Sequence, residues 1–289
     1  MNAIEQYVAP TSLAQAAEYL QQPGGVTILA GGTDLMPQSQ SGKLKFGHTL
    51  MNIHGVAELK GITLDGAAIR IGALATVAEI MEDKLVRQHL PVLIQACDHF
   101  ASDQIRNAAT VGGNVCNASP AGDMLVPLLV LDAEVELASK PDGSLARRSL
   151  PLSAFFVGPG KTRRMPAELL TSIRVPLPPP RHFAEFFKFG TRPALDISTI
   201  SIGIAAVLQQ GVLSNVRVAF GAVAPTPMRA PRTEQALEGR RLDSALMETA
   251  ANTARDEVTP IDDIRASAWY RKELIHNITK RMLAHVAHA

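Results

Sequence analysis

Two short stretches of this 289-residue chain collect residues suited to holding a ligand. One is ILAGGTDLM, Ile28 to Met36. The other is ATVGGNVCNASPAGD, Ala109 to Asp123. A glycine pair after a buried strand admits dihedrals closed to other residues and lets backbone N–H groups converge. Such a nest suits anions, phosphates above all. Taken singly, Gly31-Gly32 is better read as a tight turn. Thr110-Val111-Gly112-Gly113-Asn114 brings a second glycine pair, and two such loops facing one ligand from two sides would suit a diphosphate. Neither G-x-G-x-x-G nor G-x-x-x-x-G-K-[ST] occurs, which disfavours a Rossmann or P-loop site. Asp123 would repel a phosphate, but it could accept from sugar or ribityl hydroxyls. It could also cap the helix that follows. Asn114 and Asn117 suit left-handed turn positions as well as ligand contacts, and Arg106 could meet a phosphate or brace its own loop.

The elements that must position these residues are legible in outline. Ser12-x-x-Gln15 and Thr76-x-x-Glu79 resemble capping boxes, the first opening a helix with Leu13, Ala16, Ala17 and Leu20 on one face. Pro23-Gly24-Gly25 stops that helix, and Val26 to Ala30 reads as a buried strand. Thr49 to Ile53 and Ala68 to Ile71 read as further strands. A helix starts at Pro91, where a missing N–H costs nothing, and runs to about Phe100. Pro127 is tolerable only in the first turn of a helix. Ala133 to Ala138 is a strand ending in the turn Lys140-Pro141-Asp142-Gly143, and Leu169 to Val175 another. The run Pro176 to Pro180 marks a boundary between domains 1–176 and 177–289. Beyond it, Glu185 to Phe189 is strand-like. Thr199 to Leu208 and Val212 to Val223 form a hairpin around Gln210-Gly211. Helices follow near Thr233 to Leu237, from the N-cap Asp243, and from Ser267. Strands and helices without strict alternation make the class α+β.

Composition narrows the function classes. A net charge of +1 gives no electrostatic case for nucleic acid or an anionic membrane as partner. No stretch approaches the ~18 uninterrupted apolar residues of a membrane span. The start MNAIEQYVAPTS has neither the basic nor the apolar region of a signal peptide, so a cytoplasmic location with free thiols is expected. The two cysteines, Cys97 and Cys116, cannot supply an iron–sulfur cluster or a zinc site, so no metal is expected. Cys97-Asp98-His99 reads as a packing cysteine at a helix end beside a surface histidine. His285-x-x-His288 reads as a solvent-facing terminus. No catalytic acid/base set is evident.

ILAGGTDL, QIRNAATVGGNVCNASPAGD, GPGKT and FKFGTRPALDISTIS resemble the FAD-binding (medium) subunits of molybdenum hydroxylases, in particular the flavin subunit of bacterial xanthine dehydrogenases. The resemblance runs from about Tyr7 to the C-terminal helix. It implies a vanillyl-alcohol-oxidase/PCMH-type FAD-binding domain of two α+β lobes. A C-terminal domain like that of the CO dehydrogenase flavoprotein would follow, with a three-stranded antiparallel sheet and helices. Carried across, it places Ile28, Leu29, Ala30, Gly31, Gly32, Thr33, Asp34 and Leu35 at the FAD. It also places Thr110, Val111, Gly112, Gly113 and Asn114 there, and adds Phe100, Asp123, Leu170 and Lys188.

A ring at Phe100 could pack on the flavin face or be an ordinary core phenylalanine. Strand alternation sends Lys188 away from its phenylalanine neighbours, either to the flavin's pyrimidine edge or to solvent. Leu170 offers only backbone or apolar contact. The cysteine-bearing insert of the benzoyl-CoA reductase and periplasmic aldehyde oxidoreductase branches is missing.

The resemblance thus implies an electron-transfer flavoprotein subunit. FAD would sit on this chain, [2Fe–2S] clusters on a small partner subunit, and molybdopterin on a large one that oxidises a purine. NAD would be the acceptor. Two alternatives are a non-redox nucleotide-diphosphate-binding or scaffold subunit that has lost flavin, and a self-contained flavin oxidase. The missing acid/base set disfavours the oxidase.

Overall fold

The computed structural model describes residues 4–192 and 195–288. The first three residues of the MNAIEQYVAPTS segment and the Pro193-Ala194 pair inside FKFGTRPALDISTIS lie outside the described residues, as do the terminal Ala289 and the side chain of His288.

The first lobe is a three-stranded parallel sheet in the order β1-β3-β2. Its elements are β1 (Gln6–Val8), α1 (Leu13–Tyr19), β2 (Val26–Leu29), α2 (Leu35–Gln40) and β3 (Thr49–Asn52). Parallel neighbours need crossovers, and α1 and α2 supply them. Ser12 caps α1 through the N–H of Gln15, while the Gln15 side chain accepts from Thr11 rather than from Ser12. Leu13, Ala16, Ala17 and Leu20 are all buried, as their spacing requires.

The second lobe is a five-stranded antiparallel sheet, β4-β5-β10-β6-β7, covered by short helices. In chain order it comprises β4 (Ile62–Asp65), β5 (Ala68–Gly72), α3 (Val77–Glu82), α4 (Lys84–His89), α5 (Pro91–Asp98), α6 (Asp103–Arg106), α7 (Val111–Asn117) and α8 (Leu125–Val130). Then come β6 (Glu134–Ser139), β7 (Ala146–Pro151), the two-stranded hairpin β8 (Phe156–Gly158) and β9 (Lys161–Thr162), and β10 (Leu169–Pro176). The capping box at Thr76 and Glu79 is complete. Pro127 lies in the first turn of α8, where its missing N–H costs nothing.

The last part is antiparallel. It holds β11 (His182–Phe189), β12 (Ile200–Gln209), β13 (Val212–Gly221) and a two-residue β14 (Met228–Arg229), which adds a short edge to the three long strands. The helices α9 (Pro231–Leu237), α10 (Ser244–Glu257) and α11 (Ala268–His288) cover one face. Asp243 caps α10 through the N–H of Leu246. Along β11, Phe187 and Phe189 pack on this last core, while Phe186 joins the core of the second lobe. Alternation therefore turns Lys188 toward the second lobe.

Several elements go beyond the sequence reading. β4, β7, α2, α4 and α6 are short or polar and carry weak periodicity. TVGGN, read above as a loop, is the first turn of helix α7. Thr110 is extended and its hydroxyl accepts from the N–H of Gly113, an N-cap bond that offsets part of the low helix propensity of two glycines. Neither Asn114 nor Asn117 is left-handed; Ala118, with φ of 48°, takes that position after α7.

Candidate functional site

A cavity of about 700 Å³ lies between the first and second lobes, a size suited to a cofactor. β2 runs into its floor, and the loop Ala30–Asp34 turns there into α2. α7 forms the facing wall. The two loops touch directly. A Cβ on Gly31 would collide with the carbonyl oxygen of Ala108 and lie 3.2 Å from the Cα of Ala109. Only a residue without a side chain allows that approach.

The two glycine loops do different work. Among the described residues, no group accepts from the N–H groups of Gly31, Gly32, Thr33, Asp34 and Leu35. These donors are open to a ligand. In the second loop the donors are taken. Val111 N–H binds the carbonyl of Ala75 at 2.9 Å, Gly112 N–H that of Ala73 at 2.9 Å, and Asn114 N–H that of Thr110 at 3.0 Å. A Cβ on Gly112 would stand 2.6 Å from the Ala73 oxygen, so this glycine lets α7 close onto the end of β5. The reading of two equivalent nests is corrected here. One loop offers donors, and the other is a packed helix start.

Of the expected residues, Ile28, Ala30, Gly31 to Leu35, Phe100, Thr110, Gly112 to Asn114 and Leu170 line this cavity. Leu29 and Val111 do not; Val111 is fully buried in the second-lobe core. Asp123 and Lys188 also lie outside it. Lys188 Nζ donates to Asp123 Oδ2 at 2.7 Å and to the His99 carbonyl at 2.9 Å, and Ser198 Oγ donates to Asp123 Oδ1 at 2.9 Å. Burial pushes the Asp123 carboxyl up, against the Lys188 charge that pulls it down. Asp123 does not cap α8, whose N-cap is Met124 with no side-chain bond.

Lys188 faces a second cavity of about 370 Å³, lined also by His99, Arg192 and Asp196. The corner His99-Phe100 separates the two cavities.

Residues outside the expected FAD set complete the first cavity. Lys161, within GPGKT, and Arg164 just after it bring positive charge, and Gln38, Cys116 and Asn117 close one side; of these, Asn117 suits a ligand contact in the sequence reading. Asn117 Nδ2 donates to Asp34 Oδ2 at 3.0 Å, and Gln38 Nε2 donates to Asn117 Oδ1 at 2.9 Å. Asp34 is exposed, and the partial burial of its carboxyl in the cleft raises it above its ordinary range. The Asn114 side-chain oxygen is buried, and no described group bonds to it. Arg106 is a brace, bonded to the Phe100 carbonyl at 2.7 Å and to Asp103.

Cys97 is buried at the end of α5, its thiol pushed up to about 12 by burial, and His99 beside it is exposed. His285 is exposed, as the sequence reading expects, and its ring also meets Glu185 at 2.7 Å. Among the described residues no cluster of His, Cys, Asp and Glu could hold a metal, and no helix is long and apolar enough to cross a membrane.

The comparisons agree with this architecture. Residues 2–178 match the family described as the FAD binding domain in molybdopterin dehydrogenase, and residues 185–286 match the CO dehydrogenase flavoprotein C-terminal domain. The chain belongs to the FAD-binding medium subunits of the molybdenum hydroxylase family.

Among its relatives is the xanthine dehydrogenase FAD-binding subunit of Escherichia coli O157:H7, 36% identical over 280 residues, covering 96% of this chain and 94% of that one. The glyceraldehyde dehydrogenase medium chain of Sulfolobus acidocaldarius is 31% identical over 281 residues, covering 97% and 98%. A solved carbon monoxide dehydrogenase from Hydrogenophaga pseudoflava superposes with a TM-score of 0.91 at 29% identity, covering 97% of this chain and 96% of that one.

Proposed function

We propose that this chain is the FAD-carrying electron-transfer subunit of a cytoplasmic, xanthine dehydrogenase-like molybdopterin enzyme. Residues 1–176 hold the FAD, and residues 177–289 form the C-terminal domain. The reading extends to a small partner subunit with [2Fe–2S] clusters, a large molybdopterin subunit that oxidises a purine, and NAD as acceptor. One observation carries it: a row of N–H donors without partners among the described residues, Gly31 to Leu35, borders a cavity of about 700 Å³ walled on its far side by α7.

The residues present fit FAD. The open donors suit a diphosphate, the orphaned Asn114 oxygen suits a hydroxyl or amide donor, and Phe100 offers an aromatic face at one end of the cavity. Lys161 and Arg164 offset the anionic charge. When bound, FAD supplies one-electron and two-electron redox chemistry that the side chains lack. The chain positions the cofactor, excludes water along its buried wall and sets the local charge. The second cavity, lined by Lys188, Arg192 and Asp196, has mixed charge, with Lys188 already paired to Asp123, and is the place in this reading where a dinucleotide acceptor such as NAD would approach.

The test is a visible spectrum of the purified chain after incubation with FAD, followed by anaerobic addition of NADH. A flavin spectrum that bleaches with NADH supports FAD on this chain and NAD as its acceptor. A flavin spectrum that NADH leaves unchanged removes NAD as acceptor. A colourless protein that binds ADP but not FAD instead marks a non-redox nucleotide-diphosphate-binding or scaffold subunit.

A further inference from the structure

Asp34 stands at the N-cap of α2, yet its carboxylate makes no capping bond. Local sequence explains this. The N–H of Met36 already bonds the Gly32 carbonyl at 3.1 Å, and the next position is Pro37, which has no N–H to give. The carboxylate is free to turn across the cleft, where Asn117 takes it.

Asn117 ends α7, and Ala118 then turns left-handed and is pinned by the N–H of Gly160 to its carbonyl at 3.1 Å. From this fixed point the Asn117 amide uses both its ends, donating to Asp34 and accepting from Gln38. Among the described residues, these are the side-chain hydrogen bonds that join cavity-lining residues of the first lobe to cavity-lining residues of the second. We propose that Asn117 is a positioning residue. It latches the first glycine loop and α2 to α7, and so sets how long a dinucleotide stays in the cleft. The inference rests on the FAD reading and adds a residue and a kinetic role to it.

The full chain is loaded with FAD and diluted, and the rise of free flavin fluorescence gives the release rate. Losing both bonds of the latch is expected to speed release about tenfold in Asn117→Ala. The melting temperature of the cofactor-free chain should change little.

Asn117→Asp sets a second carboxylate against Asp34, with Lys161 and Arg164 the cations lining the same cavity. Its release should be fast at neutral pH and slow toward the wild-type rate as acid lets the two carboxyls share a proton. A part that merely supports folding would not create that pH profile. If Asn117→Ala does not fold, the Asn117→Asp profile decides alone. Release within twofold of wild type in Asn117→Ala, or a flat profile in Asn117→Asp, overturns the latch. Wild-type protein that takes up no FAD overturns the cofactor reading, and the latch falls with it.

Discussion

Gly31 packs its bare α-carbon against the carbonyl of Ala108, leaving no room for a Cβ. This contact joins the two lobes at the point where the open donors begin. Gly31→Ala must push backbone against backbone, and overpacking of this kind costs about 1–3 kcal/mol. Lower thermal stability and weaker FAD binding are expected together. At Gly32, with φ of 72°, the nearest obstacle is the flexible Leu29 side chain at 3.3 Å. Gly32→Ala should therefore cost less, mainly through backbone strain. Differential scanning fluorimetry with and without FAD ranks the two.

Thr110 caps α7 while being almost wholly buried. Thr110→Val keeps the shape and removes the acceptor for the Gly113 N–H. The expected loss is about 0.5–2 kcal/mol of stability. Because α7 walls the cavity, FAD affinity should fall as well. Urea unfolding and flavin titration measure the two effects separately.

Lys188 and Asp123 form a buried ion pair with Ser198 as third partner. Lys188→Met leaves the Asp123 carboxylate buried without its counter-charge, at an expected cost of about 3–5 kcal/mol near neutral pH. With the Lys188 charge gone, burial outweighs the remaining Ser198 hydrogen bond, and the Asp123 pKa stays above its unfolded value. Stability in this variant is present at low pH and lost as pH rises through that raised pKa. A Lys188→Met, Asp123→Leu double variant should recover much of the loss. Equal losses at pH 4 and pH 7 in the single variant would contradict the assignment.

Asp263 accepts from Arg271 at 2.7 Å, which with the backbone N–H groups of Arg265 and Ala266 holds its carboxyl at about 2 against an ordinary value of 3.8. The stability this contributes is full above the unfolded value and disappears as pH falls through the folded one. Asp263→Asn leaves the buried Arg271 short of its partner and should cost about 1.5–3 kcal/mol at neutral pH. The gap between variant and wild type should close between pH 4 and 2, as followed by circular dichroism.

Local chemistry determined much of this protein from the sequence alone. Ser12, Thr76 and Asp243 announced their helices because a cap bond spans only three residues. The hairpin at Gln210-Gly211 and the strand at Leu169 followed from apolar runs punctuated by turn residues. The glycine pairs marked where the chain passes close to something, and Phe100 and Leu170 do line the same cavity.

Tertiary structure decided the rest, because sequence records which residue has a polar group but not which partner reaches it. It made TVGGN a helix start whose donors are consumed by Ala73 and Ala75, residues far away in the chain. It drew Lys188 to Asp123 and away from the first cavity, since β11 docks beside α5 rather than over the glycine loops. It brought Asn117 to Asp34 across two lobes. Each of these depends on long-range packing, where one buried polar group must find another and the distance along the chain carries no information.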